Sequence, residues 1–382
     1  MKVKLVVLTE IVSPYRIPVF NALAAREDIE LHVIFLAETD PTQREWKVYK
    51  EEIKFSYQVL PSWRRRYRGR NILLNRGLGA ALSRVKPDVV LCGGYNYLAS
   101  WQALAWARKH RVPFLAWIES TSRDARNNHR WVELFKKRFI SRCDAFVVPG
   151  KSSTEYVRSF NIPPSNIFVA PNAVDSAFFF QKSAEARAEG RLYREKLGLP
   201  ERFFLYVGRL VEDKGVFDLL TAYGQLPRAV QEGIGMVFVG NGPAQRELMC
   251  KAAELQCGLI KFAGFVQREE LPFYYGLAEA CLLPTHSDTW GLVVNEAMAC
   301  GLPIIITDVA GCMADLVEDQ WNGLVVPSGR PSRLTVAMQR IAASPDGCLM
   351  GQRSQKRITE YSPESCAAGI AQAAMARKDF HV

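Results

Sequence analysis

The chain has 382 residues, 48% of them apolar and 23% charged, with a formal net charge of +10. That composition is globular, without low-complexity tracts or repeats, and the length suits two domains better than one core. The charge is uneven: residues 1–180 hold 28 Lys+Arg against 16 Asp+Glu, and residues 181–382 hold 21 against 23, so the first half is expected to face an acidic partner.

The N-terminal run Met1–Glu10 is too short for a signal peptide and has no small-residue cleavage site, so it reads as a buried first strand. No stretch approaches the ~20 apolar residues that span a bilayer. A cytoplasmic location is therefore expected. Strands are predicted at Lys4–Leu8, Leu31–Phe35, Val89–Cys92, Phe114–Trp117 and Ala145–Val148, with helices at Ile17–Ala25, Leu98–Lys109, Arg130–Ile140 and Ser153–Phe160. Such alternation implies a parallel sheet covered on both faces. Tyr57 to Arg76 is arginine-rich and reads as a loop leading into a helix. Ile167 onward reads as the last strand of this domain, and Gln181 to Lys196 as a charged linker helix.

The second half repeats the alternation, with strands at Phe203–Val207, Met236–Val239, Ile260–Phe262, Ala280–Leu283 and Pro303–Thr307. Three loops follow predicted strands, at the edge where open α/β sheets bind ligands. They are Gly208 to Gly215, Gly240-Asn241-Gly242-Pro243, and Asp288 to Gly291. An alanine-rich helix from Pro363 to Lys378 is a candidate for crossing back onto the first domain.

Asp288 and Glu296 stand eight positions apart around a glycine and the start of an apolar helix. A helix start offers free N–H groups and a positive dipole end to an anion. Two carboxylates beside it suit a ligand with phosphates and hydroxyls, such as a nucleotide sugar. Asp288 also fits a simple helix N-cap. Glu296 sits among Val293, Val294, Ala297 and Met298, where a carboxylate needs a partner. Arg209 and Lys214 on one loop can clamp a diphosphate or be ordinary charges on a solvated loop. The nine cysteines form no C-x-x-C pair and read as free and structural, and the five histidines form no metal pattern.

With these residues in view, the second half resembles the nucleotide-binding domain of retaining glycosyltransferases of family 4. The matching residues are Gly208-Arg209-Leu210 with Lys214-Gly215, Val239 to Pro243, Phe262 to Val266, Asp288-x-Trp-Gly-Leu-Val-x-x-Glu296 through Pro303, Asn322 to Pro327, and Tyr361-Ser362. The first half matches more loosely, through Ser13-Pro-Tyr15-Arg16 to Phe20 and Pro171 to Asp175. The resemblance implies an α/β protein of GT-B fold, two Rossmann-like parallel-sheet domains facing each other across a cleft. Residues 1–180 with the helix 363–382 would bind acceptor, and 181–362 would bind donor.

The resemblance also implies roles. Arg209 and Lys214 would bind the donor diphosphate, and Asp288 would contact the sugar. Glu296 would hold the ribose. Gly291, Leu292 and Val293 would offer N–H groups to phosphate, with Gly208 and Gly240 in the same pocket and Phe265 and Val266 at the base. The implied reaction is metal-independent, retaining hexosyl transfer from a UDP- or GDP-sugar, with no further cofactor, in bacterial-type polysaccharide synthesis. The family places a histidine in the first domain where this chain has Trp117 to Thr121. Glu119 can substitute as a catalytic group there, or Ser120 or Thr121 can cap a helix. Ser13, Tyr15 and Arg16, with Trp63, Arg64, Arg65, Arg66, Arg68 and Arg70, are expected to meet acceptor or membrane. A saccharide acceptor, polyprenyl-linked or not, at the inner face of the cytoplasmic membrane fits this basic stretch better than nucleic acid does. A solvated loop is the plain alternative. Rival functions are a nucleotide-sugar epimerase or phosphorylase on the same fold, and a catalytically silent nucleotide-sugar-binding subunit.

Overall fold

The computed structural model describes residues 2–40, 45–67, 70–123, 130–255, 258–343 and 346–378. The backbone forms two compact units, Met1–Val174 with Ser362–Val382, and Asp175–Tyr361.

The strands of the first unit are β1 (Val3–Thr9), β2 (Ile29–Phe35), β3 (Ser56–Val59), β4 (Ser62–Tyr67), β5 (Arg70–Asn75), β6 (Val89–Gly93), β7 (Phe114–Trp117), β8 (Ala145–Val148) and β9 (Ile167–Val169). Seven of them make a parallel sheet in the order β3-β2-β1-β6-β7-β8-β9. β1 shows why it is apolar on both sides. Leu5 and Val7 enter one core, and Val6 and Leu8 the other. The first of these cores also takes Cys366, Ala367, Ile370, Ala371, Ala373 and Ala374 from the helix Pro363–Lys378. Small residues let that helix lie close. A Cβ on Gly369 would come within 2.1 Å of the Val169 carbonyl.

The expected loop from Tyr57 to Arg76 is instead three strands. β3 extends the sheet beside β2, and β4 and β5 form a separate antiparallel pair. The strand period is hidden because an arginine occupies an inward position. Arg64 pairs with Asp40, lies 4.0 Å from Glu10 and donates to the Thr39 carbonyl at 3.3 Å.

The second unit contributes β10 (Phe203–Val207), β11 (Gly235–Val239), β12 (Ile260–Gly264), β13 (Ala280–Leu283), β14 (Ile304–Thr307) and β15 (Gly323–Val326), all parallel, in the order β12-β11-β10-β13-β14-β15. This is the doubly wound order, and it reverses between β10 and β13. The expected linker helix is two helices, Ser176–Ala188 and Gly190–Leu197. Asp175 caps the first by accepting from the Phe178 N–H at 3.0 Å. That helix buries Phe179 and Ala186 and packs on the helix Leu271–Leu277, so it is part of the second unit's core. Among the described residues no helix is long and apolar enough to cross a membrane.

Candidate active site

The strand order reverses between β10 and β13, and a crevice at such a switch point is where open α/β sheets hold ligands. β10 leads into Gly208 to Lys214, and Gly215 then turns the chain into the helix Val216–Gly224. β13 leads into Pro284 to Gly291 and the helix Leu292–Ala299. Gly215 lies at φ +68°, and a Cβ there would sit 1.9 Å from the Pro284 carbonyl oxygen. The two loops therefore touch backbone to backbone. The Asp213 carbonyl accepts from the His286 N–H at 2.9 Å and the Thr285 hydroxyl at 3.1 Å.

This apposition joins two residues that the sequence holds 74 positions apart. Lys214 Nζ donates to Asp288 Oδ2 at 2.6 Å and to the Ser287 carbonyl at 3.3 Å. Both side chains are mostly covered, at 23% and 17% exposure, so solvent screens the pair less than a surface one. Asp288 Oδ1 accepts from the Trp290 N–H at 3.2 Å. Asp288 is thus not the helix cap. That position belongs to Gly291 at φ +98°, which provides no side-chain cap. Leu292 and Val293 open the helix half-buried, with first-turn N–H groups that have no carbonyl one turn back. Arg209 is exposed and, among the described residues, makes no ion pair, while Tyr206 donates to its backbone carbonyl at 2.8 Å.

Glu296 is 1% exposed, and Tyr275, itself fully buried, donates to its Oε2 at 2.6 Å. The expected need for a partner is therefore met in part by the protein. Tyr275 lies 21 residues upstream on another helix, and no sequence spacing pointed to it.

The glycines of the adjoining loops are spacers. Gly208 donates its N–H to the Val239 carbonyl at 3.0 Å and Gly240 to that of Gly264 at 2.7 Å, so neither amide is free for phosphate. A Cβ on Gly240 would lie 2.0 Å from the Gly208 carbonyl. Phe265 is 37% exposed and Val266 half-buried, just beyond Gly264. The sequence also missed a tether. His286 sits 3.3 Å from Asp218 through Nε2 and 3.3 Å from the Ser328 hydroxyl through Nδ1, anchoring the loop that carries Asp288.

In the first unit, three separately noted segments meet at the carboxyl edge of the sheet. Arg16 precedes the helix Ile17–Ala24, ion-pairs with Glu119, donates to Asn172 Oδ1 at 3.1 Å and stacks 4.1 Å from the Trp117 ring centroid. Ser13 is half-buried and accepts the Arg16 N–H through its carbonyl at 3.0 Å. Tyr15 packs edge-on against Trp46 with centroids 5.9 Å apart. Glu119 thus faces a guanidinium. Neither Ser120 nor Thr121 caps a helix, since the next described helix begins at Arg130.

The basic hairpin separates its arginines by face. Trp63 pairs with Leu74 and Arg65 with Ile72. Trp63 is 53% exposed, Leu74 40% and Ile72 39%, and Arg65 is exposed beside them. Arg64 points the other way, onto Asp40, and does not belong to the outer patch. Arg68 lies outside the described residues, and of Arg66 and Arg70 only the strand backbone is described.

The eight described cysteines are free thiols. Burial pushes Cys92 and Cys366 up to about 12, and burial followed by the charge of Glu296 pushes Cys281 up further. These three are inert fillers of the core. Among the described residues no three His, Cys, Asp or Glu side chains are grouped to hold a metal ion.

Comparison with known proteins matches residues 20–178 to the family described as Glycosyltransferase Family 4 and residues 191–365 to Glycosyl transferases group 1. Each unit thus carries its own match to a glycosyltransferase family model. It is 32% identical to the alpha-D-kanosaminyltransferase of Streptomyces kanamyceticus over 168 residues, 43% of each chain. It is 26% identical to glycogen synthase of Mycobacterium tuberculosis over 305 residues, 77% of this chain and 70% of that one. The first of these matches spans less than half of the relative's length. Among solved structures, Anabaena HepE in complex with UDP superposes with a TM-score of 0.75 at 17% identity, covering 97% of this chain and 99% of that one. The fold is accordingly GT-B, with two Rossmann-like parallel-sheet domains.

Proposed function

We propose that the protein transfers a sugar from a UDP- or GDP-sugar to an acceptor hydroxyl, with retention of anomeric configuration and without a metal. The observation that carries this reading is the Lys214–Asp288 pair at the switch point, with the helix start at Gly291 beside it and Arg209 on the same loop. UDP in the HepE structure supports a uridine nucleotide first. In the reaction the bond from the anomeric carbon to the β-phosphate oxygen breaks, and the acceptor oxygen bonds to that carbon. The acceptor proton passes to the departing diphosphate. Negative charge grows on the diphosphate, so cations and N–H groups placed there favour the transition state over the ground state. Asp288 holds Lys214 toward the phosphates and reaches the sugar, and Glu296, oriented by Tyr275, takes the ribose. Glu119 orients Arg16 for the acceptor instead of serving as a base. The test supplies UDP- and GDP-sugars with saccharide acceptors and reads the product by mass and anomeric configuration. An inverted product, or nucleotide binding without turnover on any acceptor, overturns it. Replacing Glu296 with Gln is expected to erase the preference for UDP over its 2′,3′-dideoxy analogue in binding titrations. A retained preference excludes the ribose role.

We further propose that the outer hairpin face seats the protein on an anionic membrane surface, near a lipid-linked acceptor. Each basic residue there contributes roughly 1 kcal/mol, and Trp63 favours the interface. Trp63→Ala with Arg65→Gln is expected to release the protein from vesicles containing anionic lipid, read by sedimentation. Arg64→Ala is expected to keep vesicle binding but to lose about 3 kcal/mol of stability, because it removes a cation paired with the buried Asp40. Equal binding by the Trp63/Arg65 variant and the wild type excludes this face.

A further inference from the structure

At the opposite edge of the second sheet, where β10, β13 and β14 begin, lies a cavity of about 620 Å³. That volume falls within the range of small-molecule sites, about 300–1,000 Å³. Its lining holds Leu302, Pro303 and three glycines together with Arg187, Arg194 and Arg202.

The three arginines are not equivalent. Arg202 is neutralised by Glu279, the one carboxylate of the lining, at 2.8 Å. Arg187 donates to the Cys300 carbonyl and lies 3.5 Å from the Ser183 hydroxyl, and among the described residues no carboxylate pairs with it. Arg194 is held by the Glu201 carbonyl at 2.9 Å, and the Glu201 carboxylate stands 3.8 Å away, 86% exposed and screened by solvent. Neutral backbone acceptors thus orient two guanidinium groups, and the exposed Glu201 carboxylate is the one ion-pair partner between them among the described residues. A planar guanidinium fork suits phosphate oxygens. Two such charges match the charge of roughly −2 on a phosphate monoester near neutral pH. The side-chain amides of Gln352 and Gln355, also in the lining, suit hydroxyl groups.

We infer that this cavity is a second ligand site, taking a small phosphate monoester such as a sugar phosphate or a nucleoside monophosphate, with Arg187 and Arg194 on the phosphate. The site stands at the opposite edge of its sheet from the proposed donor pocket, and its assignment does not depend on that pocket.

Cys348 lines the cavity and is exposed, whereas Cys250 is exposed on the helix Gln245–Glu254 and does not line it. The test measures alkylation of both thiols by iodoacetamide, peptide by peptide, with glucose 6-phosphate, UMP or glucose added to the whole protein. A phosphate monoester is expected to slow Cys348 alone, and glucose to leave it unchanged. The more protective of glucose 6-phosphate and UMP tells a sugar phosphate from a nucleotide. Arg187→Gln with Arg194→Gln is expected to raise the half-protecting concentration about tenfold or more. Equal Cys348 rates with and without both phosphates overturn the site, as does protection that survives in the folded double variant. The wild-type comparison decides the matter even if that variant does not fold.

Discussion

Lys214→Ala is expected to lower kcat/KM by about a hundredfold or more, the usual loss when a group stabilising developing charge is removed. Two effects add at this position. The substitution deletes the cation that reaches across to the loop leading into the helix at Gly291, and it leaves Asp288, only 17% exposed, without that counter-ion. Asp288 keeps the Trp290 N–H, so the loop itself is expected to hold. The Lys214 side chain is 23% exposed and packs no core, so the melting temperature should move by only a few degrees. Lys214→Arg separates charge from reach. It restores a cation, but a planar fork is not a point charge, so partial recovery is expected. The measurement is steady-state kinetics with whichever donor the wild type uses, alongside UDP titration. Turnover near the wild-type rate in the alanine variant would remove the switch-point loop from the mechanism.

Gly215→Ala is expected to cost about 3 kcal/mol or more in stability, and donor binding with it. At φ +68° a side chain is already disfavoured, and here the new Cβ would lie 1.9 Å from the Pro284 carbonyl oxygen. No rotamer relieves that contact, because both partners are backbone. The loops of β10 and β13 must separate, which lengthens the Lys214–Asp288 contact and frees the Asp213 carbonyl from His286 and Thr285. Denaturant unfolding reads the first effect and UDP titration the second. A variant with unchanged stability would show that the apposition is not required.

Most of the fold was legible, because buried parallel strands such as β1, β10 and β13 are continuous apolar runs that pattern alone detects. The hairpin β4–β5 was not, since the alternation that marks a strand is broken when an inward position holds Arg64 and its partner is Asp40, more than twenty residues earlier. Nor was the second unit's first helix, Ser176–Ala188, taken for part of the core. It carries charges at Lys182, Glu185 and Arg187, and its buried face shows only once it lies on the helix Leu271–Leu277.

The sequence by itself determined the parallel-sheet character of both units, the glycosyltransferase-like motif order, and which loops hold the charged groups of the site. These depend on local periodicity and on motif order, which a chain carries without folding. The tertiary structure decided which of those groups meet. It paired Lys214 with Asp288 and gave the capping position to Gly291. It gave Glu296 a tyrosine partner, bound Glu119 to Arg16, and turned Arg64 inward while Arg65 faces out. Pairing energy falls off over a few ångströms, and distances between loops are set by strand order and by contacts such as Gly215 on Pro284, which no spacing along the chain encodes.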